Sequence, residues 1–398
     1  MSDPQRGLGT RAVHGPPAPV VGQQPLVAPI YRTATFVFDT AQQMADVFAG
    51  REPGWSYSRT DNPTAQAFAD AVAALEDPSG LAVAQPFASG MAAISSTLLA
   101  LCASGSHVIA PREVYGGTWT LLTRQLARFG VTTTFVDGTD LSAVRAALRP
   151  ETAVLWGEVL ANPTMSVADL PGLSAIARDA GVPFVVDATF CSPVVCRPLE
   201  HGVDLVVHSA TKYLGGHSDV TGGVVVGAAA LLERIRTVRL DTGGALAPDE
   251  AALLTRGLAT LPLRVVRQCQ TALTVATALQ QDDRIVRVDH PGLRTHRDHA
   301  LAARLFTPGL YGAVVTVTPR GGRAAGLAML DRLRLVKRAT SLGGTVTKAV
   351  HVASTTHSSL DDASLAAAGI DPGAVRLSVG LEDADDLVAD LLQALDRP

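Results

Sequence analysis

The sequence predicts an α/β protein organised around a mostly parallel, seven-stranded sheet, and three observations carry that prediction. Short apolar runs alternate with longer amphipathic segments between Thr64 and Thr255, as a parallel sheet with crossover helices requires. Two of these runs, Phe184-Val-Val186 and Leu205-Val-Val207, pass directly into polar residues at the strand ends where ligands bind in such sheets. The 398 residues are 47% hydrophobic and only 18% charged, so there is a sizeable core to bury and disorder is excluded for most of the length.

Taken in order, residues 1–63 are rich in Pro and Gly without a sustained period and read as an extended arm contacting a neighbouring subunit. Asn62-Pro63 then opens a helix marked by Phe68, Val72 and Leu75 at helical spacing. Strands are expected at 81–84, 107–110, 132–136, 153–157, 183–187, 204–208 and 223–227, with helices near 91–103, 118–129, 141–148 and 170–180. Only residues 209–222 separate the last two strands, too few for a helical crossover, so the last strand is expected to run antiparallel. Residues 64–255 thus form the main α/β domain. Residues 256–398 change to Arg-rich helical stretches with strands at 313–317 and 375–379, a smaller C-terminal α+β domain.

A net charge of −4 without a dense Lys/Arg tract leaves no electrostatic footprint for nucleic acid or an anionic membrane, so small molecules are the expected partners. The opening stretch lacks the apolar segment of a secretory signal, and no apolar run approaches the roughly 20 residues of a membrane span, which points to the cytoplasm. Cys102, Cys191, Cys196 and Cys269 show neither Cys-x-x-Cys spacing nor the density of a disulfide framework and read as ordinary buried thiols. His296 and His299 share a helical face by spacing, but no third or fourth ligand accompanies them, so no metal is expected.

Lysine usage singles out the first candidate for chemistry. Among 33 basic residues only Lys212, Lys337 and Lys348 are lysines, so arginine fills almost every generic surface role. A lysine kept in such a chain suits what arginine cannot do, which is to lose its proton and act as a nucleophile or Schiff-base amine. Alone, Lys212 would read as a solvated loop residue, but it follows an apolar strand at its carboxyl end. Asp187 ends the preceding strand in the same way, and a carboxylate there needs a partner or ligand to offset its desolvation. Pyridoxal 5'-phosphate (PLP) uses that combination: a lysine forms the Schiff base and an aspartate keeps the pyridine nitrogen protonated. Phe87-Ala-Ser-Gly-Met91 reads as a strand, a turn and a helix start, either a phosphate site or a plain N-cap. Ser209 and Thr211 add hydroxyl donors from the lysine loop.

Together with Tyr57-Ser-Arg59, Asn62-Pro-Thr64, Val114-Tyr-Gly-Gly-Thr118, Val186-Asp-Ala-Thr-Phe190, the segment from His208 to Asp219, Ser341-Leu-Gly-Gly344 and the segment from Arg376 to Asp383, the chain resembles the Cys/Met-metabolism family of PLP enzymes over nearly its whole length. The resemblance implies PLP fold type I, the aspartate aminotransferase-like architecture. It implies Lys212 as the Schiff-base lysine, Asp187 as pyridinium partner, Tyr115 stacked on the ring, and Ser209, Thr211 and the backbone of Gly90 and Met91 on the phosphate. Tyr57 and Arg59 would reach the phosphate of a neighbouring subunit in a homotetramer built from dimers. Arg376 would clamp the substrate α-carboxylate, helped by Asn162 and Ser341. Read from the residues alone, Arg376 lies on a strand with Val375, Leu377 and Val379 on the other face, and a salt bridge to Glu382 or Asp383 is the competing assignment. Tyr115 alone would be a core aromatic, and Arg59 alone a solvated loop charge.

For the reaction, the resemblance implies that the freed Lys212 amine removes and relays the α-proton and that Tyr115 protonates the departing γ-substituent. Val346 stands where cystathionine-handling members carry Glu, Ser56 replaces an acidic residue before the Tyr-Ser-Arg segment, and Trp119-Thr120 stand in place of an Arg. Losing polar partners for a distal amino-acid group favours a small apolar thioether. Gly117, Ala188 and Glu158-Val-Leu160 depart from the Cys, Asn and Glu-Thr-Pro usual at those places. The expected activity is α,γ-elimination of L-methionine to methanethiol, 2-oxobutanoate and ammonia. The alternatives are cystathionine γ-lyase or γ-synthase chemistry, γ-replacement on an O-acylhomoserine, and a PLP-binding protein without turnover. A dinucleotide oxidoreductase is disfavoured because no Gly-x-Gly-x-x-Gly follows the first strand.

Overall fold

Strands β1 (Val83–Phe87), β2 (His107–Pro111), β3 (Thr132–Val136), β4 (Thr152–Glu158), β5 (Phe184–Asp187), β6 (Leu205–His208) and β7 (Gly223–Gly227) pair in the order β1-β7-β6-β5-β4-β2-β3. β7 runs antiparallel to both β1 and β6, while β6, β5, β4, β2 and β3 pair in parallel, as the short 209–222 connection predicts. The computed structural model describes residues 25–358 and 361–396, so the first 24 residues of the expected arm lie outside the described residues. Residues 25–30 carry neither helix nor strand and belong to a separate unit that ends at Ile30, and the elements named here belong to the unit beginning at Tyr31.

The sheet is buried on both faces, which is why its strands read as continuous apolar runs rather than alternating ones. Phe184, Val186, Val206, Val224 and Val226 pack with Phe68 and Val72 of the helix Pro63–Glu76 on one face. Val185, Val207, Val225 and Trp156 pack with Ile94 and Leu98 of the helix Gly90–Leu101 on the other. Each fully buried Val or Leu contributes roughly 1.5–3 kcal/mol relative to exposure. Glu76, which ends its helix, is itself buried and faces His208 Nε2 at 2.6 Å, tying that helix to the end of β6.

A second sheet of β8 (Ile285–Asp289), β9 (Val314–Pro319), β10 (Lys337–Arg338), β11 (Lys348–His351) and β12 (Val375–Ser378) has the order β10-β11-β12-β9-β8 and is antiparallel except for β10 with β11. It corresponds to the expected C-terminal strands and adds three short ones. Among the described residues no helix is long and apolar enough to cross a membrane. The four cysteines are free thiols, three of them buried.

Three elements differ from the sequence reading. β1 starts at Val83 and runs through Gln85-Pro86, a proline tolerated because β1 is an edge strand. The expected 118–129 helix is an α-turn Gly116–Thr120, a π-turn Leu121–Gln125 and a 3-10 turn Leu126–Phe129. Within it the Thr123 hydroxyl donates to the Trp119 carbonyl at 2.8 Å, competing with the helical ladder. The arm contains a helix, Ala41–Phe48, capped by the Thr40 hydroxyl accepting the Gln43 N–H, and none of its residues is buried.

Candidate active site

The carboxyl ends of β4, β5 and β6 meet the 340–342 segment and β12 around a cavity of about 430 Å³. Parallel pairing brings Glu158, Asp187 and the start of the lysine loop side by side, because Glu158 is in register with Asp187 and Asp187 with Val207. Asp187 accepts the Thr189 N–H at 2.9 Å, and the Thr189 hydroxyl oxygen accepts the Ser209 N–H at 2.8 Å, so one threonine joins the two strand ends. Burial pushes the Asp187 carboxyl up, while the Thr189 hydroxyl and N–H, His208 and Lys212 pull it back toward the charged form.

Lys212 Nζ donates to Ser341 Oγ at 2.9 Å across the cavity. Burial, the Arg376 guanidinium and Lys348 all hold its amine below the usual lysine range, with Asp187 opposing them. Ser341 has φ of +75°, a left-handed conformation that non-glycine residues avoid unless the surroundings enforce it. That conformation lets one residue face both cations, since its carbonyl also accepts Arg376 Nη2 at 3.3 Å. Gly343, at φ +72°, follows where a Cβ would meet the Tyr213 nitrogen at 2.6 Å, so only glycine allows the turn to pass this close to the lysine loop.

Arg376 lies on β12, 4% exposed, with Nη1 donating to Asn162 Oδ1 at 2.9 Å and its guanidinium 5.9 Å from the Phe190 ring centroid. Burial pulls its pKa down to about 10, which leaves it charged near neutrality. The competing salt bridge does not form, because Glu382 is taken by Thr347 and Asp383 by Arg267.

Opposite, Ser89 caps the helix Gly90–Leu101 by accepting the Ala92 N–H at 3.1 Å. A Cβ at Gly90 would lie 2.7 Å from Ser209 Cβ, so glycine lets the helix N-terminus close against the lysine loop. Backbone N–H groups and a hydroxyl thereby face one small volume suited to a dianion. With an amine, a strand-end carboxylate and an aromatic, Tyr115, around the same cavity, the residues present fit PLP.

Of the residues singled out in the sequence, Gly90, Met91, Tyr115, Asn162, Asp187, Ser209, Lys212, Ser341 and Arg376 line this cavity. Thr211 does not; its hydroxyl accepts the Gly222 N–H at 3.1 Å and closes the loop instead. Val346 does not either and is 43% exposed. Tyr57 and Arg59 also lie outside, stacked on each other at 5.7 Å, with Arg59 Nη1 donating to the Leu240 carbonyl. His296 and His299 do not share a helical face: the helix His299–Leu305 begins at the second of them, and His299 Nδ1 donates to the Pro291 carbonyl. No cluster of three or more potential ligands occurs among the described residues.

Glu158 is the lining residue that sequence reasoning noted only as part of a departing motif. The signal that found Asp187 was also present there, a carboxylate ending the apolar run Val154-Leu155-Trp156. Its Oε1 accepts the Tyr115 N–H at 2.6 Å, and burial with Asp187 and Glu113 nearby raises its pKa well above the ordinary range.

The chain is 45% identical over 392 residues to an L-methionine gamma-lyase of Pseudomonas putida, covering 98% of this chain and 97% of that one. It is 42% identical to an L-methionine gamma-lyase of Fusobacterium nucleatum subsp. nucleatum, in an alignment of 402 positions that covers 100% of each chain. A crystal structure from Campylobacter jejuni, assigned as an O-acetylhomoserine (thiol)-lyase and holding N'-pyridoxyl-lysine-5'-monophosphate, superposes with a TM-score of 0.91 at 31% identity, covering 98% of this chain and 99% of that chain. The family described as Cys/Met metabolism PLP-dependent enzyme matches residues 9–396, and the chain belongs to that family.

Proposed function

We propose that the protein catalyses the α,γ-elimination of L-methionine, releasing methanethiol, 2-oxobutanoate and ammonia. The observation that carries the substrate choice is the charge inventory of the cavity. Its charged side chains are Glu158, Asp187, Lys212 and Arg376, of which Glu158 accepts the Tyr115 N–H and the other three are assigned to the cofactor or the α-carboxylate. Among the described lining residues none is left to bind a second amino-acid group, so a short apolar thioether suits the far end better than cystathionine. The similarity to two L-methionine gamma-lyases supports the same choice.

PLP supplies the electron sink that stabilises negative charge at the substrate carbons. Lys212 would hold it covalently, with Asp187 at the ring nitrogen, Tyr115 on the ring face, and Ser209 with the Gly90 and Met91 N–H groups at the phosphate. Thr211 would act there by shaping the loop. Once released, the Lys212 amine serves as the base for the α-proton; its lowered pKa favours the neutral form that this step needs. Arg376 orients the α-carboxylate, and Asn162 and Ser341 fix the guanidinium that does so. The Tyr115 hydroxyl delivers a proton to the departing sulfur.

In this reading the enzyme is cytoplasmic and divides into an arm (1–63), a cofactor domain (64–255) and a smaller domain (256–398). It assembles as a homotetramer of dimers in which each subunit's Tyr57 and Arg59 complete the neighbouring phosphate site. Two features support the shared site: both residues lie outside their own chain's cavity, and the unburied arm helix leaves Phe48 67% exposed. Light scattering is expected to report the tetramer, and a monomer would refute the shared site.

The direct test is 2-oxobutanoate and methanethiol release from L-methionine by the PLP-loaded protein, with L-cystathionine in parallel. Turnover of cystathionine alone would mean that another group replaces the missing distal carboxylate. Turnover of neither, with the cofactor still bound, would favour γ-replacement on an O-acylhomoserine, the reading that the Campylobacter jejuni neighbour supports.

A further inference from the structure

We propose that Glu158 is a positioning residue whose carboxyl ties the Tyr115 loop to the end of β4, fixing the leaving-group acid over the cavity. For the role of Tyr115 the inference rests on the elimination reading above.

The geometry is specific. Glu158 is 8% exposed at the end of a strand that pairs on one side with β2 and on the other with β5. Its Oε1 accepts the Tyr115 N–H at 2.6 Å. Tyr115 starts the five-residue helix Gly116–Thr120, which has no side-chain cap of its own, so this carboxyl from another strand anchors the helix start. A single side chain on a rigid strand therefore holds the start of the loop that carries Tyr115.

The placement is costly, which argues that it is kept for the site. Glu158 sits in register with Asp187, no cation forms an ion pair with it among the described residues, and both its neighbour and its burial oppose ionisation. A leucine or methionine would fill the same volume without the desolvation penalty but would leave the Tyr115 N–H without that acceptor.

The test compares Glu158→Met, Glu158→Gln and Tyr115→Phe, alone and combined, in the holoenzyme. Glu158→Met is expected to lower kcat for methionine by about 10- to 100-fold, with a smaller rise in KM, because the reacting groups are misplaced rather than removed. Glu158→Gln keeps an acceptor oxygen and is expected to recover activity to within about threefold. In the Tyr115→Phe background, Glu158→Met should add less than about threefold, since the hydroxyl it positions is already gone. Fully additive losses, or a Gln variant as impaired as the Met variant, would overturn the inference. If the wild type fails to turn over methionine, the function reading fails separately, and the visible circular dichroism of the bound cofactor decides instead. That band is expected to weaken in the Met variant and return in the Gln variant, and an unchanged band would refute the positioning role.

Discussion

Lys212→Ala is expected to lower methionine turnover by about 10,000-fold and to leave PLP able to dissociate on gel filtration. The size of the effect follows from two losses at one atom. Nζ is both the covalent attachment point in this reading and the only amine lining the cavity among the described residues. Neither other lysine replaces it, because Lys348 Nζ donates to Ser218 Oγ outside the cavity lining and Lys337 is exposed on β10. Lys212→Arg is expected to be equally inactive, since a guanidinium does not shed its proton to act as a base. The measurements are 2-oxobutanoate release and cofactor absorbance before and after filtration; an arginine variant with appreciable turnover would remove Lys212 from the proton-transfer role.

Arg376→Ala is expected to lower kcat/KM by about 100-fold or more, carried mainly by KM. Arg376 uses two N–H donors on Asn162 and the Ser341 carbonyl, and the fork has five, so it is held in place with donors to spare for a carboxylate. Removing it strips the substrate of that partner and leaves the buried Asn162 oxygen unpaired as well. Arg376→Lys restores the charge but not the planar pair of donors and is expected to recover only part of the loss. Steady-state kinetics on methionine check this; an unchanged KM in the alanine variant would place the α-carboxylate elsewhere.

The central sheet was legible because buried parallel strands leave continuous runs such as Phe184-Val-Val186, and the antiparallel β7 followed from a connection too short to cross over. Lys212 and Asp187 were legible for the same reason, as polar residues that abruptly end such runs. Legibility failed where local signals mislead. Gln85-Pro86 reads as a loop but lies in an edge strand, and β11 is only four residues long. It failed also where the outcome depends on side-chain direction after a turn. Thr211 and Val346 fall within motifs that border the cavity, yet neither is among the residues that line it: the Thr211 hydroxyl accepts the Gly222 N–H, and Val346 is 43% exposed. Glu158 carries the right pattern, but its value comes from the Tyr115 N–H, a contact spanning 43 residues that no spacing rule encodes.

The cavity draws its groups from two sheets. Asp187 ends a strand of the seven-stranded one, Ser209 and Lys212 follow its β6 and Gly90 starts the helix after its β1, whereas Arg376 comes from the five-stranded one and Ser341 from the segment beside it. Cofactor retention and substrate orientation therefore depend on different parts of the chain, which need not lose their order together. A preparation whose second sheet has loosened would keep its yellow colour while losing its catalytic competence, so pigment content measures how much protein is loaded and says little about how much of it works.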